Sequence, residues 1–541
     1  ADRLRRRHRR LVRSLVTRSV EEIGRGLEPT RRARPITPGE RIHVIGAAGS
    51  AAAASLLLGQ AAGAVVSGCD SGEPSAYSLG VEAAGIPITW QHDASHVVGP
   101  DGRPLVDRIA VSKALTSVNP DHPELLAAHA AGIPATSCQQ LIADAAATFG
   151  GTLLAVAGTH GKSTTTGWLV HLLNEAGADP SAFVGALLPA ELVGGDAPAV
   201  VRIGHGGPNG PSFVVEADEY AGNFDPYRPQ IGVVLNADWD HPDVFPDRGA
   251  VIDAFEAWIR RFPPDATLVA NAADPGVALL LPRLADWPGR ILATAVAGDG
   301  IDAAALAAGL HEAYRSAAGP ASTLTASYHA AADGSAHLLV HGLAPDAPAK
   351  VNLQLVGRHN ADDALGAAGA ALAFGLEPGV IAAGLASFRG VGRRFELKGD
   401  VGGVVVLDDY GHHPTAIAAT LEAVNLRYPG RRRWAVYEPL TFHRTAALLE
   451  PFAEVLATAD RVAIADIHAV RDPDKTIVSA ADLARAVERR GTPAIAPGSV
   501  EATADALLPL VEPGDVVLVM GGGRSTVIAE RLVAGLMARG D

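Results

Sequence analysis

Three groups of residues in this 541-residue chain have the types and spacing needed to hold phosphate groups and a divalent cation. The sharpest is Gly158-Thr-His-Gly-Lys-Ser163, followed by Thr164, Thr165 and Thr166. Glycines let backbone N–H groups crowd an anion, and a helix N-terminus adds partial positive charge. Lys162 then neutralises the outer phosphates and the Ser163 hydroxyl ligates Mg²⁺. Gly158, Thr159, His160, Gly161, Lys162, Ser163 and Thr164 are therefore the expected ATP contacts. Val156 stands where the general pattern has a glycine, so the loop is a shorter variant. The second group is Val214-Val-Glu-Ala-Asp-Glu-Tyr220, an apolar run leading into Glu216, Asp218 and Glu219, which suits a cation better than a core. The third is Asn236-Ala-Asp-Trp-Asp-His-Pro-Asp243. It too follows an apolar run, and open α/β sheets place ligands at the carboxyl ends of their strands. There His241 is read either as a ligand to a second Mg²⁺ or phosphate, or as a turn residue.

These groups need a scaffold of strands feeding into loops. Arg41–Ile45 reads as a buried strand, Gly46-Ala-Ala-Gly49 as the opening of an Ala-rich helix, and Ala64–Ser67 as a second strand ending at Asp70. That rhythm is the mark of βαβ units on a parallel sheet. It restarts at Leu153–Ala157, with further strands at Phe213–Glu216 and Ile231–Asn236, and alternating strands from Ser322 to Val356. A third region opens at Val404–Leu407 and continues through Trp434–Tyr437, Arg461–Ile464 and Val516–Met520. The expected fold class is α/β with three domains in series: a basic extension over 1–35, a Rossmann-like domain over 36–148, a P-loop ATPase domain over 149–396 and a second Rossmann-like domain over 397–541. Taken alone, Gly46 to Gly49 with Asp70 also fits a dinucleotide site and a dehydrogenase.

The bulk numbers agree with several packed cores. Apolar residues make up 48%, which excludes a largely disordered chain. The net charge of −14 excludes a general nucleic-acid binder. Two cysteines, Cys69 and Cys138, make a disulfide framework improbable and fit a reducing compartment. No signal-peptide pattern opens the chain and no segment has the length and flanks of a membrane span, so a cytoplasmic location is expected. The arginine run Arg5, Arg6, Arg7, Arg9, Arg10 and Arg13, interleaved with Leu11, Leu15 and Val16, reads mainly as a poorly packed extension, with weak membrane-surface contact as the alternative.

Taken together the motifs resemble the Mur ligase family. The resemblance rests on GTHGKSTTT at 158–166, EADEY at 216–220, NADWDHPD at 236–243, GRHNADDALGAAGA at 357–370, VGRRFE at 391–396 and DDYGHHPT at 408–415, in family order across roughly 40–530. It implies a first domain for a UDP-linked substrate, a second for ATP with Mg²⁺ at two sites, and a third that brings an amino acid and closes over the site. The motif forms are similar to the branch that joins L-alanine to UDP-N-acetylmuramate in peptidoglycan precursor synthesis. On that resemblance Lys162 serves the β/γ-phosphates, and Ser163 with Glu216 holds one Mg²⁺ and His241 the other. Asn360 faces adenine, Arg394 reaches the γ-phosphate and Asp409 the ribose. Gly46, Ala47, Ala48, Gly49, Asp70, His92 and Asn119 bind the UDP substrate. Tyr410, His412, His413 and Arg444 serve the amino acid, with His412 among the catalytic residues and Arg444 pairing bidentately with the amino-acid carboxylate.

Three departures bear on that picture. Sister ligases hold a metal with a carbamylated lysine, but no lysine lies between Lys162 and Lys350, which favours the alanine-adding branch. The first loop is poor in glycine, and His443 stands where a small hydroxyl residue is usual in the family. Two competing readings share the nucleotide loop: a recycling ligase that attaches a ready-made peptide to UDP-N-acetylmuramate, and a nucleotide-binding scaffold without ligase activity. Monomer and dimer are equally compatible with the sequence.

Overall fold

The computed structural model describes residues 17–298, 300–330, 335–344, 347–469, 472 and 475–540. The arginine run between Arg5 and Arg13 lies outside the described residues. Three sheets follow one another along the chain. The first has five parallel strands with Arg41–Ile45 in the centre, flanked by Val65–Cys69 and Arg108–Val111. Its central strand is the point at which strand order reverses, so the turn from Gly46 to Gly49 opens onto the crevice such sheets offer to ligands.

The second sheet has ten strands. The strand Thr152–Ala157 lies between Ser212–Glu216 and Ile231–Val234, parallel to both, so the three motif loops leave the sheet side by side from one edge. At the far end Ser322–Ala330, Ala336–His341 and Ala349–Leu353 run antiparallel, as the alternation there predicts. The third sheet has six strands, five parallel and one antiparallel edge, Glu396–Val401.

Apolar burial explains why these layers form and how they are joined. One continuous cluster runs from Ile42 and Leu56 under the first sheet to Phe183, Val200 and Trp258 in the second. The first two sheets therefore share a core. The third sheet has its own apolar clusters on its two faces, one around Leu407, Tyr437 and Phe452, the other around Val436, Val519 and Leu532. It meets the second region through polar side chains at the cavity and through apolar contacts, Trp239 against the third sheet's own cluster and Leu426 against the second region's.

The expectation of a poorly packed extension over 1–35 is corrected for its described part. Ile23 is fully buried against Tyr220 and Ala221. Arg31 holds the Asp144 carboxylate with both guanidinium arms at 2.9 and 2.6 Å. Asp144 also takes Arg108 at 2.6 Å, so one buried acid ties this segment to the first domain.

Candidate active site

The sequence places a strand, a glycine turn and a helix in direct succession, and the structure builds a phosphate cradle from them. The strand Thr152–Ala157 ends at Gly158, and the helix Lys162–Glu175 begins after Gly161, which adopts φ +81°. A side chain at Gly161 would also run into the Asp363 carboxylate. Gly161→Ala is therefore expected to cost about 1–3 kcal/mol and to weaken nucleotide binding at least tenfold, readable by isothermal titration with ATP. Unchanged affinity would show that the turn does not touch the nucleotide.

Lys162 stands at the centre of a charge cluster. Its Nζ donates to the Gly158 carbonyl at 2.7 Å and to Glu219 at 2.9 Å, with Asp218 at 3.7 Å. Burial opposes its charge, but Glu219, Asp218 and Glu216 outweigh that and hold it firmly protonated. Val156 pairs with Glu216 in parallel register, so this acid leaves the sheet on the same edge as the loop. The Glu216 carboxylate accepts the Gly185 N–H at 2.7 Å.

Three carboxylates thus share one lysine. Burial, with Asp218 beside it, pushes the Glu219 carboxyl up to about 7, and one of its oxygens is buried without a hydrogen-bond partner. Asp218, Glu219 and His241 bring ligand atoms within 4.8 Å of one another. An excess of negative charge, an orphaned carboxylate oxygen and an oxygen-rich donor set fit a divalent cation such as Mg²⁺. Sequence reasoning placed Glu219 among the cation-holding acids but not as the partner of Lys162. Its ion pair with Lys162 depends on how two loops meet, which spacing alone does not reveal.

The raised Glu219 carboxyl has a signed consequence. Between about 4.5 and about 7 the unfolded chain releases this proton while the folded chain retains it, so this group's contribution to stability falls as pH rises through that window. Glu219→Gln is therefore expected to be near neutral for the ligand-free protein at pH 5 and stabilising at pH 8, while lowering activity. Thermal unfolding of both proteins at the two pH values checks it. An equal difference at both would rule out the proton as the cause.

Arg394 reaches the loop from the join of the second and third sheets. Its Nη2 donates to Ser163 Oγ at 3.0 Å, and its guanidinium lies 5.0 Å from the centre of the Tyr410 ring. The flanking Arg393 and Phe395 hold positive φ of 57° and 54° without being glycine. Arg393 is anchored by Asp408 at 3.2 Å and by the Gly521 carbonyl at 2.8 Å. Such strain persists only where its surroundings over-determine it, and here it aims Arg394 at the phosphate cradle.

The third region supplies the other wall. Arg444 is 2% exposed and grips Asp240 with Nε at 2.7 Å and Nη2 at 2.9 Å, with Nη2 also 3.3 Å from His241 Nδ1. Only Nη1 is left without a partner. The expected bidentate pairing of Arg444 with an amino-acid carboxylate is therefore corrected: the fork is taken by Asp240, and one nitrogen remains. His413 caps the helix Pro414–Arg427, meets the Trp239 carbonyl at 3.2 Å and lies 4.6 Å from the His160 ring. His412 Nδ1 lies 3.0 Å from the Tyr410 carbonyl, which leaves Nε2 as the open position. Burial, with the Arg444 charge close by, drives the His412 pKa well below its ordinary value, so the ring is neutral at pH 7.

These elements meet around one cavity of about 1330 Å³. The loop from Thr159 to Thr164 lines it, with Gly158 set back from the wall, along with Glu216, Asp218, His241, Asn360, Arg394, Asp409, Tyr410, His412, His413 and Arg444. Gly46 and Gly49 line it from the first sheet, joined by Ser75 and Tyr77, which sequence reasoning missed. The Asn360 amide is spent on the Val356 carbonyl at 2.7 Å, leaving its oxygen. Asp409 already accepts N–H groups from Gly411 and Phe395 at 2.7 and 2.9 Å.

The UDP-side residues are only partly brought together. Ala47 is fully buried, and Asp70 braces the turn by accepting the Ala48 N–H at 2.9 Å and the Gly72 N–H at 2.9 Å. Asp70, His92 and Asn119 are not part of the cavity wall. Asp70 shapes the loop, and His92 packs in a separate, largely buried cluster.

The fold and cavity agree with what comparison finds. Three family models match in series: the Mur ligase family catalytic domain over 41–150, the Mur ligase middle domain over 156–371, and the Mur ligase glutamate ligase domain over 393–523. The chain belongs to the Mur ligase family and is an enzyme of the ligase class. It is 36% identical over 506 residues to a UDP-N-acetylmuramate–L-alanine ligase of Mycobacterium sp. (strain JLS), covering 93% of this chain and 96% of that protein. In fold it is similar to the UDP-N-acetylmuramate–alanine ligase of Thermotoga maritima, with a TM-score of 0.71 at 21% identity over 92% of this chain and 99% of that one. It is also similar to a murein peptide ligase of Psychrobacter arcticus, with a TM-score of 0.66 at 24% identity and the same coverage.

Proposed function

We propose that the chain joins L-alanine to UDP-N-acetylmuramate at the expense of ATP, through an acyl phosphate, in the cytoplasm. The observation that carries this reading is the convergence of Lys162, Glu216, Asp218, His241 and Arg394 on one cavity that also opens onto the Gly46 turn, with Glu219 buried behind Lys162.

The reaction needs a carboxylate made into an electrophile, because hydroxide is a poor leaving group. A substrate carboxylate oxygen attacks the γ-phosphorus of ATP, ADP leaves, and the acyl phosphate forms. Catalysis of such transfers is mostly positioning and charge stabilisation. Lys162 and Arg394 place two cations at the cradle where charge builds up. A Mg²⁺ held by Asp218, Glu219 and His241, or by Glu216 with Ser163, supplies further neutralisation when bound. The alanine amine then attacks the acyl carbon and phosphate departs. His412, neutral with Nε2 open, accepts a proton from the amine. The free Nη1 of Arg444 takes one oxygen of the alanine carboxylate.

Phosphate release from ATP with UDP-N-acetylmuramate tests this across L-alanine, L-serine, glycine and an L-alanyl tripeptide. Release with L-alanine fastest supports the reading. Release with the tripeptide and not L-alanine assigns a recycling ligase, and ATP binding without any release assigns a scaffold.

A further inference from the structure

A second polar cluster lies within the first domain, outside the cavity just described. His43 stands in the central strand, Cys69 ends its neighbour, His96 lies on the short turn Ala94–His96, and Glu124 opens the helix Pro123–Ala130. Cys69 Sγ is 3.3 Å from His43 Nε2 and 3.1 Å from Glu124 Oε2, and His96 Nδ1 is 2.9 Å from Glu124 Oε1. One ligand atom from each of the four lies within 4.8 Å of the others. A tetrahedral dication with bonds of about 2.0–2.3 Å spaces its ligands by roughly 3.3–3.8 Å; the separations of 2.9 to 3.6 Å between neighbours here bracket the lower end of that range, so small side-chain shifts would admit the ion. His43 Nδ1 is held by Ser67 Oγ at 2.8 Å, the outer-shell contact that aims Nε2 inward.

Two further observations point to a ligand. Glu124 is fully buried, yet among the described residues no lysine or arginine pairs with it. Beside it, His122 is 2% exposed with neither ring nitrogen hydrogen-bonded, its ring packed edge-on to His92 at 4.4 Å, and His92 Nδ1 is in turn 3.2 Å from Cys69 Sγ. Glu124 is met by the Asp93 N–H at 2.9 Å, His96 and the Cys69 thiol, whereas the buried His122 ring has no partner for either nitrogen and is costly to leave so.

We propose that His43, Cys69, His96 and Glu124 bind one transition-metal dication of the Zn²⁺ type, separate from the Mg²⁺ cluster. Two neutral imidazoles, one thiolate and one carboxylate cancel the charge of the ion, as a buried site requires. The thiol releases its proton to solvent as the Cys69–metal bond forms. Soft thiolate and imidazole donors select Zn²⁺ over Mg²⁺. The Cys69 carbonyl accepts the N–H groups of Gly46 and Ala47 at 2.8 and 3.0 Å, so the ion would stiffen the turn that faces the cavity.

Metal-stripped full-length protein titrated with Co²⁺ tests this. The expected result is one equivalent bound with a thiolate-to-cobalt charge-transfer band, bleached by Zn²⁺, absent in Cys69→Ser and kept in Cys138→Ser. No such band, or a band that survives Cys69→Ser or depends on Cys138, overturns the proposal. Circular dichroism checks the fold of Cys69→Ser. His96→Asn, at the half-buried edge, is expected to fold and to bind Co²⁺ at least tenfold more weakly, and unchanged affinity there also overturns it.

Discussion

Lys162→Ala is expected to lower phosphate release by roughly a thousandfold, the scale of losing a preorganised charge at a developing anion, while leaving the fold intact. Removing one partner of a buried ion pair ordinarily leaves the other charged and unpaired, at about 3–5 kcal/mol. Here Glu219 already sits at about 7 with the lysine present. Without Lys162 it takes up a proton at neutral pH, and most of that cost is avoided. Steady-state phosphate release together with thermal unfolding of Lys162→Ala at pH 7 checks both halves. An unfolded variant would mean that Lys162 is a structural partner of Glu219, and near-normal release would remove the phosphate role of the loop.

Asp240→Ala is expected to have the next largest effect, on stability and activity together. Asp240 and Arg444 are 3% and 2% exposed and 204 residues apart in sequence, so the pair clasps the third region onto the second. Truncating the acid leaves a buried guanidinium, at about 3–5 kcal/mol, and lets the third region's wall of the cavity shift. A displacement of about 1 Å at such a site costs roughly a hundredfold in kcat/KM. The double variant Asp240→Leu with Arg444→Met separates clasp from chemistry. It is expected to recover most of the thermal stability and little of the kcat/KM for alanine, because Nη1 is gone. Recovery of both would make Arg444 a clasp alone.

The phosphate cradle was legible in the sequence because it is local. Gly158 to Thr166 is one strand end, one turn and one helix start, and the acids of 216–219 and 236–243 follow strands whose apolar character is equally plain. What was not legible depends on contacts between distant segments. The claim of Asp240 on Arg444 is set by how two domains meet, and that spent the fork expected for an amino acid. Likewise Asp70 fits a dinucleotide or UDP site by its distance from the Gly46 turn, and what spacing does not show is that its carboxylate braces its own loop by accepting the Ala48 and Gly72 N–H groups. His92 packs against His122 and near Cys69 and Glu124, which the strand Val65–Cys69 and the start of the helix Pro123–Ala130 bring together. The left-handed Arg393 and Phe395 have no signal in residue type, since the first is held by Asp408, Ser525 and the Gly521 carbonyl, with its own N–H on Glu396.

The central claim is that the nucleotide on the Lys162 turn gives its phosphoryl group to the substrate carboxylate before the amine arrives. UDP-N-acetylmuramate labelled with oxygen-18 in its lactyl carboxylate tests it most directly, with the released phosphate read by mass spectrometry. One labelled oxygen in each phosphate is the predicted result, because the carboxylate oxygen leaves with the phosphorus. Unlabelled phosphate formed alongside the amide product would contradict it.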